Sequence, residues 1–172
     1  FVGDLLVASY LADARSKARV FKPSGELVRE VELPGIGSAG GFGGDRDDLE
    51  TFYTFSSFTT PPSTYRYDML TGKSTLFRQA KVDFDPKDYV VKQIFYASKD
   101  GTRVPYFLVS KADLPLDGST PTLLYGYGGF QVSLNPSYSA VTGRLWLEQG
   151  GAYVLANIRG CLLYTSPSPR DH

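Results

Sequence analysis

The sequence predicts blades of a β-propeller followed by the opening of an α/β domain. Three observations point there: an aromatic-rich composition without long helical periodicity, a strand pattern that recurs at an offset of 47 residues, and a later change to the order hairpin, strand, loop, helix, strand. Tyrosine and phenylalanine, 12 and 11 of them, bring the aromatic share to 14%, which favours pleated, half-buried surfaces over helices. With 172 residues, 42% apolar and 21% charged, the chain can build one ordinary core or two partial ones.

The repeat begins at Leu5. Shifted by 47 residues, the segment from Leu5 falls on the segment from Phe52 without gaps, with Arg19 over Arg66 and Gly25 over Gly72. Each copy reads as strand, short polar loop, strand, turn ending in glycine (PSG, LTG), strand. A strand-built period of roughly 40–50 residues is the signature of propeller blades, and two blades cannot close a ring, so the pattern implies a piece of a larger propeller.

Between the copies, Gly35, Gly37 and Gly40 formally satisfy G-x-G-x-x-G. A dinucleotide site needs a strand before the glycines and a helix after them, so that helix amides meet the pyrophosphate. Pro34 interrupts the approach, and GGFGGDRDDLE piles carboxylates where a phosphate would be repelled. The stretch is read as a loop between blades, and DRDDLE as a solvated turn rather than a cation site.

Near residue 80, QAKVDFDPKDY marks a domain boundary, dividing the chain into 1–80 and 81–160. VVKQIFYASKDGTRVPYFLVS then reads as a hairpin around Asp100-Gly101. PTLLYGYG is a short apolar run without alternation, expected to be a strand buried on both faces. Tyr138, Val141 and Leu145 fall at i, i+3 and i+7 before Gly150-Gly151, predicting a helix with a glycine cap, and AYVLANI predicts another buried strand.

Charge excludes some partners. Lys plus Arg equals Asp plus Glu, 18 each, with no run of five like charges, which argues against nucleic acid or a membrane surface. No segment approaches the roughly 18–20 apolar residues of a membrane span, and the first residues lack the pattern of a secretory signal. The single cysteine, Cys161, cannot form an internal disulfide and fits a cytoplasmic setting. No His, Cys and carboxylate cluster has ligand spacing, so neither metal nor cofactor is expected.

The segments DYVVKQIFYASKDGTRVPYFLVSK, DGSTPTLLYGYGGFQVSLNPSYS and ANIRG resemble the prolyl oligopeptidase family, and GGFGGDRDDLETFYTFSSFTTPPSTYRYD resembles the last propeller blades of its members. The likeness covers about residues 1–160. It implies a serine endopeptidase that hydrolyses short peptides on the carboxyl side of proline, with a seven-bladed propeller capping an α/β-hydrolase domain. On that reading 1–80 are C-terminal blades and 81–160 begin the peptidase domain. The resemblance also implies short peptide substrates, a cytosolic parent and a monomeric one.

YGYGGF then gains a role. Acyl transfer builds negative charge on the scissile carbonyl oxygen, and each donor fixed beside it lowers the barrier by about 3 kcal/mol. In α/β-hydrolases one donor comes from the loop after the third strand. By resemblance the donor here is the hydroxyl of Tyr127, with Phe130 lining the pocket near the proline subsite and Tyr125 serving in packing. Flanking glycines let the backbone bend sharply without Cβ clashes.

The catalytic Ser, Asp and His are not found. No G-x-S-x-G occurs; Ser38, in IGSAG, comes nearest, and the sole histidine is His172. CLLYTSPSPRDH departs from the family's continuation after ANIRG, so 161–172 are expected to be an adapter-derived or otherwise non-native tail. The chain as given is therefore expected to be an inactive fragment with exposed sheet edges, prone to aggregate. Two alternatives stand beside this reading: a relative with another cleavage preference, such as after basic residues, and a non-catalytic propeller interaction module.

Overall fold

Each copy of the 47-residue pattern folds as an antiparallel meander in the computed structural model, which describes residues 1–115, 117–130 and 132–159. The tail 161–172, with Cys161 and His172, lies outside the described residues. The first copy forms β1 (Leu6–Ala12), β2 (Arg15–Phe21) and β3 (Leu27–Glu30). The second contributes the last three strands of a four-stranded sheet: β4 (Ser38–Gly43), β5 (Glu50–Ser56), β6 (Ser63–Asp68) and β7 (Ser74–Gln79), paired in that order. The repeat also matches in its turns. Gly25 and Gly72 both take left-handed backbone, with φ of +88° and +74°, which a residue bearing Cβ adopts only with strain.

One expectation needs correcting. Gly35–Gly44 is not a loop throughout: Ser38–Gly43 is strand β4, paired with β5 through a register shift between Gly40 and Gly43. Glycine's poor strand propensity conceals it, and tertiary packing overrides that propensity. The irregular backbone at Gly41 and Phe42 turns the Phe42 ring into the core, where it stacks on Tyr53 at 4.7 Å between centroids. Strand β5 follows where a dinucleotide site would need a helix.

Alternation in β5 sends Thr51, Tyr53 and Phe55 inward and Phe52 outward. Tyr53 and Phe55 join Val2, Val20, Val31, Phe42, Tyr67 and Met69 in one core shared by both sheets. Burying each of these larger side chains contributes about 1.5–3 kcal/mol. Arg29 of β3 links the sheets: its Nε donates to the Tyr67 hydroxyl at 2.9 Å, and another of its nitrogens donates to the Met69 carbonyl. A fully buried phenol thus keeps a partner, as an apolar core requires.

The chain divides into two compact units, Phe1–Asp83 with Pro136–Tyr138, and Phe84–Asn135 with the residues from Ser139 onward. In the second unit, a short 3₁₀ turn at Pro86–Asp88 leads into β8 (Tyr89–Ala97), which pairs with β9 (Arg103–Lys111) across the Asp100-Gly101 turn. β10 (Thr122–Gly126) and β11 (Ala152–Ala156) complete a sheet ordered β10-β11-β9-β8. β10 and β11 run parallel; the other pairs are antiparallel. The connection between the parallel strands contains α1 (Ala140–Thr142) and a π-helical turn at Gly143–Leu147, the crossover expected of an α/β domain.

Two details differ from expectation. β10 is a strand but not a buried one: it forms the sheet edge, and Leu124 is 67% exposed. With Tyr96, Tyr106, Val154 and Ala156, which its register places on the same face, Leu124 lines an apolar hollow of about 340 Å³. The helix begins after Tyr138, with Ser139 as its cap accepting the Thr142 N–H. Val141 and Leu145 are exposed, whereas Leu147 is buried. A π turn changes the rotation per residue, so i, i+3 and i+7 no longer define one stripe.

Crowding beside β4 yields a paired prediction. A Cβ at Gly37 would lie 2.4 Å from the Phe55 ring and from the Ser56 carbonyl, whereas one at Gly40 would meet nothing within 4 Å. Gly37→Ala is expected to destabilise the first unit by about 1–3 kcal/mol, and Gly40→Ala to change stability by less than about 0.5 kcal/mol, in thermal unfolding.

Candidate functional site

Parallel pairing of β10 with β11 brings their carboxyl ends together, Gly126 opposite Ala156. The loops leaving them, Tyr127–Phe130 and Asn157–Arg159, therefore emerge from one sheet edge. β9 runs antiparallel to β11, which carries the β8–β9 turn to that same edge. There Arg159 Nη1 donates to Asp100 Oδ2 at 2.6 Å.

The two loops touch through glycine. A Cβ at Gly128 would lie 2.7 Å from the Arg159 carbonyl oxygen and 3.2 Å from Ile158 Cγ1, so only glycine permits this approach. At Gly129 the neighbour would be the Tyr127 hydroxyl, at 2.7 Å: the phenol folds back over this residue. Tyr127 is 39% exposed, and among the described residues its hydroxyl has no hydrogen-bond partner.

Phe130 follows in a turn that the Val132 N–H closes on the Gly129 carbonyl at 3.2 Å. Its φ is +54°, which costs a residue with Cβ about 1–2 kcal/mol, and its ring is 93% exposed. Tyr125 lies half-exposed in edge strand β10 rather than in a packed interior, because no neighbouring strand covers that side among the described residues. Ser38 is in the first unit at the start of β4, where its hydroxyl donates to the Pro136 carbonyl at 2.7 Å. It sits on no strand-to-helix elbow.

Three contributors escaped sequence reasoning: Asp100, Arg159 and Asn157. Asp100 reads as turn chemistry, which it also performs, accepting the Thr102 N–H at 3.1 Å. Asn157 is completely buried at the end of β11, its N–H donating to the Pro105 carbonyl at 3.1 Å. The available signal was an amide directly after the apolar run AYVLA, where a buried polar group must find partners.

Residues 1–80 match the family model described as the N-terminal β-propeller domain of prolyl oligopeptidase. The prolyl endopeptidase of Elizabethkingia miricola is 44% identical over 158 residues, covering 92% of this chain and 22% of its own length. The chain belongs to the prolyl oligopeptidase family. The prolyl endopeptidase of Dictyostelium discoideum is 34% identical over 155 residues, 88% of this chain and 20% of that protein. A solved structure from a mechanistic study of two prolyl endopeptidases aligns with a TM-score of 0.81 at 46% identity, covering 94% of this chain and 24% of the other. Prolyl oligopeptidase B of Galerina marginata, solved without ligand, aligns with a TM-score of 0.81 at 29% identity, over 92% of this chain and 23% of the other. The chain thus spans about a fifth of the length of the curated prolyl endopeptidases it matches.

The Asp100 carboxyl is held below the ordinary carboxylate value, first by the Thr102 N–H and hydroxyl and then by Arg159. A depressed folded-state pKa means that the ionised form stabilises the turn above the unfolded value, and that this support is lost as pH falls through the lowered one. An NMR titration of the Asp100 carboxyl should give a midpoint below 3.8, the value of an unperturbed aspartate. Arg159→Ala should raise that midpoint only part of the way, because Thr102 is the larger cause.

Proposed function

We propose that this chain is part of a serine endopeptidase that cleaves short peptides after proline, and that Tyr127 stabilises the oxyanion formed in that reaction. Residues 1–80 are then the last propeller blades, and 81–160 the start of the α/β-hydrolase domain. One observation carries the reading: a phenol O–H without a partner among the described residues stands at the shared carboxyl edge of two parallel strands. In open α/β sheets that edge is where ligands bind.

The chemistry follows from charge. A serine oxygen bonds to the carbonyl carbon as its proton passes to a histidine base, both supplied from outside these 172 residues, and the C=O π pair moves onto the carbonyl oxygen. Tyr127 Oη donates its hydrogen bond to that oxygen. Because Gly128 and Gly129 are packed beforehand, little reorganisation is needed as the charge develops. Phe130 offers an uncovered aromatic face on a turn whose strain is already met, suited to the apolar ring of proline. The similarity to prolyl endopeptidases supports the proline preference.

In the longer peptidase carrying this chain, Tyr127→Phe should lower kcat by roughly tenfold or more with little change in KM. Phe130→Ala should instead mainly raise KM for proline-containing peptides. Unchanged turnover in Tyr127→Phe would return the loop to a packing role and favour a non-catalytic module. Loss of proline selectivity in a substrate panel would point to a different cleavage preference.

The 172-residue chain alone lacks G-x-S-x-G, and its only histidine is at position 172. A fluorophosphonate probe, which requires an activated serine, should leave it unlabelled. Stoichiometric labelling would overturn this account of its chemistry.

A further inference from the structure

Asn157 is 0% exposed, and the mechanism above does not use it. Its side-chain Nδ2 donates to the Leu134 carbonyl at 2.8 Å, while its Oδ1 is buried without a hydrogen-bond partner among the described residues. A fully buried amide with one half unsatisfied is costly, so apolar packing alone does not account for an asparagine here. Its connections give it a different use. Through its backbone it is fixed to β9 at Pro105, and through its side chain it grips the segment that leaves the Tyr127–Phe130 turn. Directly after it, Ile158 and the Arg159 carbonyl press on Gly128. The Tyr127 loop is therefore held at two points, and both depend on the course of the chain at Asn157.

We propose that Asn157 is a positioning residue that holds the Tyr127 loop in its donor geometry, through its amide bond to Leu134 and the packing of Ile158-Arg159 on Gly128. The proposal rests on the reading of Tyr127 as oxyanion donor. Asn157 itself touches no reacting atom. Its loss leaves Tyr127 present but no longer confined to one place, so the transition state loses its donor while ground-state binding of the peptide is retained.

The test is a double-mutant cycle in the longer peptidase, following hydrolysis of a proline-containing peptide. Asn157→Ala is expected to lower kcat by roughly tenfold with KM changed less than about twofold, and to lower it by less than about twofold further in a Tyr127→Phe background. Equal losses in both backgrounds would show a general structural effect and overturn the proposal, as would an unchanged kcat in Asn157→Ala. Tyr127→Phe alone separates the two readings. A fall in kcat there with additive Asn157 effects sinks only the positioning role, whereas no fall sinks the oxyanion reading together with it. Asn157→Ser and Asn157→Asp are carried through the same cycle in case the alanine variant does not fold; if none of the three folds, Asn157 is a folding residue and the proposal fails.

Discussion

The parallel pairing of β10 with β11 is the constraint on which the candidate site depends. Antiparallel neighbours deliver their exits to opposite edges of a sheet; parallel neighbours deliver them to the same one. Setting Gly126 opposite Ala156 makes the loops Tyr127–Phe130 and Asn157–Arg159 neighbours although 30 residues separate these two positions in sequence. The hairpin turn carrying Asp100 arrives at that edge because β9 opposes β11. A chain segment that is unremarkable by itself, Asn157–Arg159, thereby comes to lie against Gly128, next to Tyr127 in the chain.

Glycine acts differently in the two units. In the first, Gly25 and Gly72 allow left-handed turns, and Gly37 yields space to an aromatic ring. In the second, Gly128 permits two backbones to meet, and Gly129 leaves room for a phenol. The first set serves folding and the second serves placement. Oxyanion chemistry benefits from such placement because a donor already in position need not be reoriented while charge develops, and the lowered barrier depends on that rigidity. The left-handed Phe130 is consistent with a loop that the surrounding structure holds in a conformation it would otherwise avoid.

Much of the architecture was legible because it is local. Turn glycines at equal offsets, the succession of strands within each copy of the repeat and the Asp-Gly turn before β9 depend on neighbours a few residues away, and each appears as read. The family was legible from YGYGGF and its flanks. Strand β4 was hidden because its glycines carry no strand signal; Phe42 and the pairing with β5 supply the energy instead. The face of the helix at Ala140–Leu147 was misjudged because a π turn is a tertiary adjustment with no fixed sequence mark.

By itself, then, the sequence determined that strands would form, where they would turn, and which tyrosine stood among glycines, since these follow from backbone sterics and short-range periodicity. Only the tertiary structure decided that β10 is an edge, that Asn157 is wholly buried with its amide on Leu134, and that the Arg159 carbonyl rests against Gly128. Those facts depend on register between strands distant in the chain, and register is set by the packing of whole faces rather than by any residue's own preference.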